Sequence, residues 1–321
     1  SSIDRSQPLS DTSICLRSFV NTEAIYEIVR IMVDVVNVKE WIKENEKDFT
    51  PPVCNKCMYS DQLKMFFVGG PNQRKDYHLE EGEEVFYQLK GDMCLKVVEN
   101  GQRRDLWIKE GEIFVLPSRV EHSPQRYENT IGAVVERTRA DDEFDCVRYF
   151  IGESTDRQYE RWLNLTDVVA DLPPIIKGFH SSKAFLTGAV TDESFIQTPP
   201  YEPRPIDLRP PMNLKNLIEA HEEDLTREPV VIFGSPEYTS TTAIYGRGHH
   251  TIDSGKEEEV IVWSVEDGLA ALTVDGIDYM VGNGDMARMQ PVKKCKLDVR
   301  EGTLLVIRMP GKAKKVEESD E

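Results

Sequence analysis

Short apolar runs separated by turn residues dominate two stretches of the chain. In the first, Met65–Val68, Glu84–Leu89, Cys94–Val98, Asp105–Ile108, Ile113–Leu116 and Ile131–Glu136 have the length and apolar content of strands. Gly69-Gly70-Pro71, Lys90-Gly91-Asp92, Asn100-Gly101, Glu110-Gly111 and Asn129 punctuate them. Asn100-Gly101 is a strong hairpin signal, because a type I′ turn needs two successive residues that tolerate positive φ. Strands this short and this regularly spaced predict an antiparallel sandwich or barrel. Ahead of them, Ile25, Ile28, Val29, Met32, Val35, Val36, Trp41 and Ile42 recur at helical intervals up to Pro51-Pro52. The β-branched run Val33–Val38 opposes that helix and moves its expected start toward Asn37. Residues 156–190 read as mainly helical, with Trp162, Leu163, Val168, Val169 and Leu172 apolar. Six prolines between Pro199 and Pro211 predict a stiff linker, and a helix is expected from Asn213 to Leu225. A second strand-rich block then runs from Pro229 to Met309.

The two blocks echo each other. Glu84–Tyr87 is matched by Glu259–Val262, Asn100-Gly101 by Asp275-Gly276, and Gly111–Pro117 by Gly284–Pro291, at offsets near 175. The pattern predicts a duplication with four parts. These are an N-terminal extension over 1–36, disordered or partly helical; a first domain over 37–190; the linker over 191–211; and a second domain over 212–321.

Composition narrows the partners. Lys and Arg total 39 against 57 Asp and Glu, a net charge of -18, so a nucleic-acid backbone would be repelled. No apolar stretch is long enough for a bilayer, because Ile25–Val38 is broken by Glu27, Arg30, Asp34 and Asn37. Six cysteines with one C-x-x-C pair, Cys54 and Cys57, do not make a disulfide framework or a closed zinc site. Residues 1–20 lack the apolar segment of a secretory signal, so a reducing, cytosolic setting is expected. Small molecules remain as the expected partners of a monomer.

The candidate chemistry lies in the first block. His78 and Glu84 flank the turn Glu81-Gly82, which lets them face each other across adjoining strands. His122 stands just beyond the strand that ends at Pro117. Two imidazoles and one carboxylate with open positions opposite form the facial triad used for non-haem Fe(II) and O2.

These residues resemble the two cupin motifs, G-x5-H-x-H-x3-4-E-x6-G and G-x5-P-x-G-x2-H-x3-N. Glu84-x6-Gly91, Gly111-x5-Pro117 and Pro117-x4-His122 match. The first glycine is two residues too far from His78, Glu80 replaces the second histidine, and Arg126 replaces the asparagine. The resemblance implies an all-β duplicated cupin, a double-stranded β-helix or jelly-roll barrel, with added helices. It extends further: Phe67–His78, Gly82–Leu89, Gly111–Pro117, His122–Arg126, the Pro51–Lys56 run and Val134–Arg137 look like the 3-hydroxyanthranilate 3,4-dioxygenase family in its animal-type, two-cupin form.

That family cleaves 3-hydroxyanthranilate with O2 to 2-amino-3-carboxymuconate 6-semialdehyde, the precursor of quinolinate on the kynurenine route to NAD. Carried over, His78, Glu84 and His122 would hold one Fe(II) per chain in the N-terminal cupin. Arg74 would sit by O2, and Arg126 and Glu136 would contact substrate, with Glu84 beside it. The chemistry wants these types. Arg126 offers a planar fork to a carboxylate, Glu136 can take a phenol proton or hold an amine, and Arg74 can steady negative charge on reduced dioxygen.

Two other cupin activities stay open from the sequence, a metal-dependent isomerase and a non-enzymatic binding protein. Applying the internal offset, Glu84 maps onto Glu259, His78 onto Asp253 and His122 onto Lys296. A lysine where a dication needs a donor predicts a metal-free second cupin.

Overall fold

Residues 33–51, 54–166, 168–255, 257–291 and 294–311 are described by a computed structural model. The expected lead-in over 1–21 and the apolar positions Ile25 to Met32 lie outside them. Two antiparallel barrels, each of two facing sheets, make up the described chain.

In the first barrel one sheet orders, from edge to edge, Met212–Asn213, Glu112–Leu116, Glu84–Lys90, Ile131–Arg137, Leu63–Gly69 and Asn55–Ser60. The facing sheet runs Arg157–Leu163, Asp145–Phe150, Tyr77–Leu79, His122–Arg126, Met93–Glu99 and Gln102–Ile108, with Asn72–Gln73 added on His122–Arg126. In the second barrel the sheets run Val33–Asn37, Asp285–Met289, Glu259–Trp263, Leu304–Met309, Thr241–Tyr245 and Val230–Phe233, and Gly248–Ile252, Cys295–Glu301, Leu269–Val274 and Ile277–Val281. This is the duplicated cupin, all-β with a few short helices.

All six strands expected in the first block are present. Strand Glu84–Lys90 shows why its sequence lacks alternation. Phe86 packs inside the barrel with Met93, Leu95 and Phe114, while Val85 and Tyr87 face outward into a core shared with Ile261, Trp263 and Ile307 of the second barrel. Both faces are buried, so the run is apolar throughout. Trp263 sits edge-on to Tyr87 and Phe67, with ring centroids 5.4 Å and 6.3 Å away. Burying such side chains contributes roughly 1.5–3 kcal/mol each, which ties the barrels together through an apolar seam.

Three expectations need correction. Val33–Asn37 is a strand, not the middle of a helix, and the helix Val38–Glu44 begins after Asn37, whose side chain accepts from the Glu40 N–H. The β-branched run prevailed because an open sheet edge was there to receive it: Val33–Asn37 pairs with Asp285–Met289 of the second barrel. Residues Arg157–Leu163 form a strand paired with Asp145–Phe150, and helices occupy only Val168–His180 and Lys183–Thr187 of the stretch expected to be helical. The third concerns strand exchange. Met212–Asn213, expected in the second domain, pairs with Glu112–Leu116 of the first barrel. Each barrel thus receives one strand from the other half. The Asn213 side chain then caps the helix Leu214–Ala220, as Asn37 caps Val38–Glu44.

The pairing also corrects the internal register. Glu84 lies opposite Leu116, five residues beyond Gly111, and Val260 lies opposite Met289, five beyond Gly284. His122 faces Val97, three before the Asn100 turn, and Leu297 faces Leu272, three before the Asp275 turn. His78 pairs with His122 as His250 pairs with Leu297. The equivalents of His78, Glu84 and His122 are therefore His250, Val260 and Leu297, not Asp253, Glu259 and Lys296. A one-residue slip reverses the side a side chain points to. Glu259 is the partner of Glu83: its Oε2 accepts from the Leu63 N–H at 2.7 Å, as Glu83 accepts from the Thr239 and Ser240 N–H groups at 2.8 Å and 2.9 Å.

Candidate active site

His78, Glu84 and His122 meet inside the first barrel, in a cavity also lined by Asn55, Phe66, Asn72, Arg74, Phe86, Arg126 and Glu136. The fold brings all six residues singled out in the sequence to one place. His78 and His122 are register partners on adjacent strands, with ring centroids 5.3 Å apart. Glu84 opens the strand of the facing sheet. Its Oε1 lies 3.1 Å from His122 Nε2 and 4.0 Å from His78 Nδ1, and all three residues are buried.

Two contacts fix which nitrogens look inward. His78 Nε2 lies 2.7 Å from Asp145 Oδ2, and His122 Nδ1 lies 3.0 Å from the Val120 carbonyl. Carboxylate and carbonyl oxygens only accept here, so those nitrogens carry hydrogen and the lone pairs of His78 Nδ1 and His122 Nε2 face Glu84. Two lone pairs and a carboxylate converging in a buried space repel unless a proton or a cation lies among them. The donor set, held by outer hydrogen bonds, fits a divalent metal. Among the described residues, His78, Glu84 and His122 form one group of donor atoms lying within 4.8 Å of one another.

The electrostatics have the same origin. Burial works against the Glu84 charge, but the facing His122 and His78 outweigh it and hold the carboxyl well below its usual range. For His122, burial disfavours the charged ring, yet Glu84 opposite raises its pKa. Asp145 is pulled below the usual carboxylate range against its burial by His78 and Arg139.

Arg139 and Asp145 were not singled out in the sequence. Arg139 Nη1 donates to Glu136 Oε1 at 2.7 Å, and Nη2 reaches Glu80 Oε2 at 2.6 Å and Asp145 Oδ2 at 3.0 Å. One buried guanidinium thereby joins the carboxylate that holds His78 to the carboxylate that lines the cavity. Glu80, Glu84 and Glu136 form a second close group of carboxylates. Burial drives the Glu80 pKa upward, Arg139 opposes, and Glu136 and Glu84 add to the rise. The signal available beforehand was weak: an Arg and an Asp near a strand end are ordinary surface residues until the fold buries them.

The two cavity arginines differ. Arg74 is engaged by Asp76, its Nε 3.2 Å from either carboxylate oxygen, so its charge is largely met. Arg126 is buried, and its one hydrogen bond among the described residues is Nη1 to Gln88 Oε1 at 3.3 Å. It makes no ion pair there, and loss of solvent lowers its pKa to about 10, with Glu84 acting the other way. A buried guanidinium that lines a cavity with no carboxylate in ion-pair contact with it among the described residues is positioned to bind an anion.

A cupin barrel carrying a buried His/Glu/His set beside an unpaired arginine defines a metal-binding cupin of the small-molecule type. The sequence model of the 3-hydroxyanthranilic acid dioxygenase family matches residues 31–180. A 3-hydroxyanthranilate 3,4-dioxygenase of Caenorhabditis briggsae is 51% identical over 279 residues, covering 87% of this chain and 99% of the relative. The enzyme of that name from Homo sapiens is 44% identical over 243 residues, covering 75% and 84%. Among solved structures, a cupin 2 conserved barrel domain protein from Leptotrichia buccalis is similar over 88% of this chain and 97% of its own, with 10% identity and a TM-score of 0.45. The chain belongs to the 3-hydroxyanthranilate 3,4-dioxygenase family, a family of metal-dependent dioxygenases.

Proposed function

We propose that this protein opens the ring of 3-hydroxyanthranilate with O2, giving 2-amino-3-carboxymuconate 6-semialdehyde, which closes to quinolinate without further catalysis. The observation that carries the reading is Arg126: a buried, unpaired guanidinium in the same cavity as a His/Glu/His donor set. An aminophenol that chelates a metal and also bears a carboxylate satisfies both at once.

The metal is Fe(II), held by His78, Glu84 and His122, one per chain. Bound there, it supplies the one-electron chemistry that lets O2 react with an aromatic ring. The protein residues do the rest. Arg126 takes the substrate carboxylate through its planar fork. Glu136, anchored at Oε1 by Arg139, presents its other oxygen to the phenol or the amine and accepts the proton released on binding. Arg74 is assigned the O2 side of the cavity, where its charge, softened by Asp76, steadies negative charge on oxygen. Phe66, Phe86 and Val134 supply the apolar walls that keep water from the reacting ring.

An oxygen electrode decides the reading. Fe(II)-loaded protein given 3-hydroxyanthranilate should consume O2 in proportion to substrate. No uptake would sink the dioxygenase and return the cupin isomerase, which needs metal but no O2.

A further inference from the structure

Arg126 is held by a neutral partner over bare backbone. Gln88 is 1% exposed and shares the inward face of strand Glu84–Lys90 with Glu84 and Phe86. Its Nε2 donates to the Lys90 carbonyl at 3.2 Å, which orients the amide so that Oε1 accepts from Arg126. Gly132 is the register partner of Gln88 on the neighbouring strand. A Cβ on Gly132 would stand 2.4 Å from Gln88 Oε1 and 2.5 Å from Arg126 Nη1. Both groups lie in the space that any other residue at 132 would fill. The obstruction would come from the ends of two side chains, not from backbone, and the φ of Gly132 lies outside the range that excludes L residues. Alanine there should move Arg126 without unfolding the sheet.

We infer that Gln88, seated over Gly132, is the positioning residue that sets specificity. It fixes the Arg126 fork with a neutral oxygen and so leaves the positive charge to the ligand. A carboxylate at position 88 would occupy the guanidinium and remove the demand for an anionic substrate. The inference rests on the substrate reading above and deepens it.

The test is anaerobic titration calorimetry of Fe(II)-loaded protein with 3-hydroxyanthranilate and with 2-aminophenol, which lacks the carboxylate. The parent should prefer 3-hydroxyanthranilate. Gln88→Glu, close to the parent in shape, should weaken 3-hydroxyanthranilate by ~10-fold or more while 2-aminophenol changes less than about threefold. Gly132→Ala should act in the same direction by displacing the fork. A merely structural role would weaken both ligands alike. If the parent binds the two equally, the substrate reading itself fails. If the parent discriminates and both variants keep its preference, the substrate reading stands and Gln88 is not what sets it.

Discussion

Asp145 Oδ2 stands 2.7 Å from His78 Nε2, and that hydrogen bond decides which face of the imidazole is free for a metal. The same oxygen takes Arg139 Nη2 at 3.0 Å, so the ring is braced by an anion that is itself braced. Asp145→Asn should loosen the ring and lower metal affinity by ~10–100-fold, the usual effect of losing an outer-sphere carboxylate. Competition for Fe(II) against a chromophoric chelator measures it, and an unchanged affinity would remove Asp145 from this role.

In the proposed donor set Glu84 would supply the anionic member. Glu84→Ala leaves two neutral imidazoles, which do not balance a dication in a buried site. Iron and activity should disappear together. Stoichiometric iron by atomic absorption in the variant would take Glu84 out of the ligand set.

Arg126→Ala should keep iron bound but weaken 3-hydroxyanthranilate by about 2–5 kcal/mol, the cost of stranding one partner of a buried charge pair. For 2-aminophenol the loss should be much smaller. Equal losses on both ligands mean that Arg126 only holds the barrel in shape.

The second barrel should contribute no iron. Val260 and Leu297 hold the positions of Glu84 and His122 and pack in its apolar interior. His250 alone keeps a donor at the position of His78, and its Nε2 is 2.8 Å from the Gly246 carbonyl. Loaded protein should carry one iron per chain, unaltered by His250→Ala. A reproducible second iron that this substitution removes would overturn the assignment.

Glu259 predicts a pH effect on stability. Burial raises its pKa above the ordinary 4.5, against the Leu63 N–H and Arg288, which lower it. A carboxyl with a raised folded pKa stabilises fully below the unfolded value, and that contribution is lost as pH rises through the folded one. Glu259→Gln stays neutral and can still accept from Leu63. As pH rises from the ordinary 4.5 toward neutrality, the parent should therefore lose stability relative to this variant. Urea midpoints across that range test it, and parallel curves would refute it.

The strands, the hairpin turn and the trio His78, Glu84 and His122 were legible because each has a local signature: turn glycines, a proline after a strand, a histidine at fixed spacing. Arg74, Arg126 and Glu136 carry no such signature and were reached only through the family resemblance. What the sequence hid depends on partners far along the chain. Val33–Asn37 reads as ambiguous until Asp285–Met289 is beside it. Glu259 resembles Glu84 in a linear comparison, and only the pairing of Val260 with Met289 shows that its side chain points out of the barrel. Arg139 and Asp145 matter through a network of four buried ionisable groups whose members are scattered from Glu80 to Asp145.

The reciprocal placement of Val33–Asn37 and Met212–Asn213 bears on how the protein is made. Synthesis proceeds from the N-terminus, so the catalytic barrel emerges first, without the strand that completes its sheet edge and with the apolar face of Val85 and Tyr87 uncovered. Val33–Asn37 must meanwhile wait, unpaired, until Asp285–Met289 leaves the ribosome. Closing contacts across such a span is slow, and open edges attract other chains in the interval. The nascent first barrel therefore holds every residue of its cavity, from Asn55 to Glu136, while its edge strand and the partner of its apolar seam are still to be made.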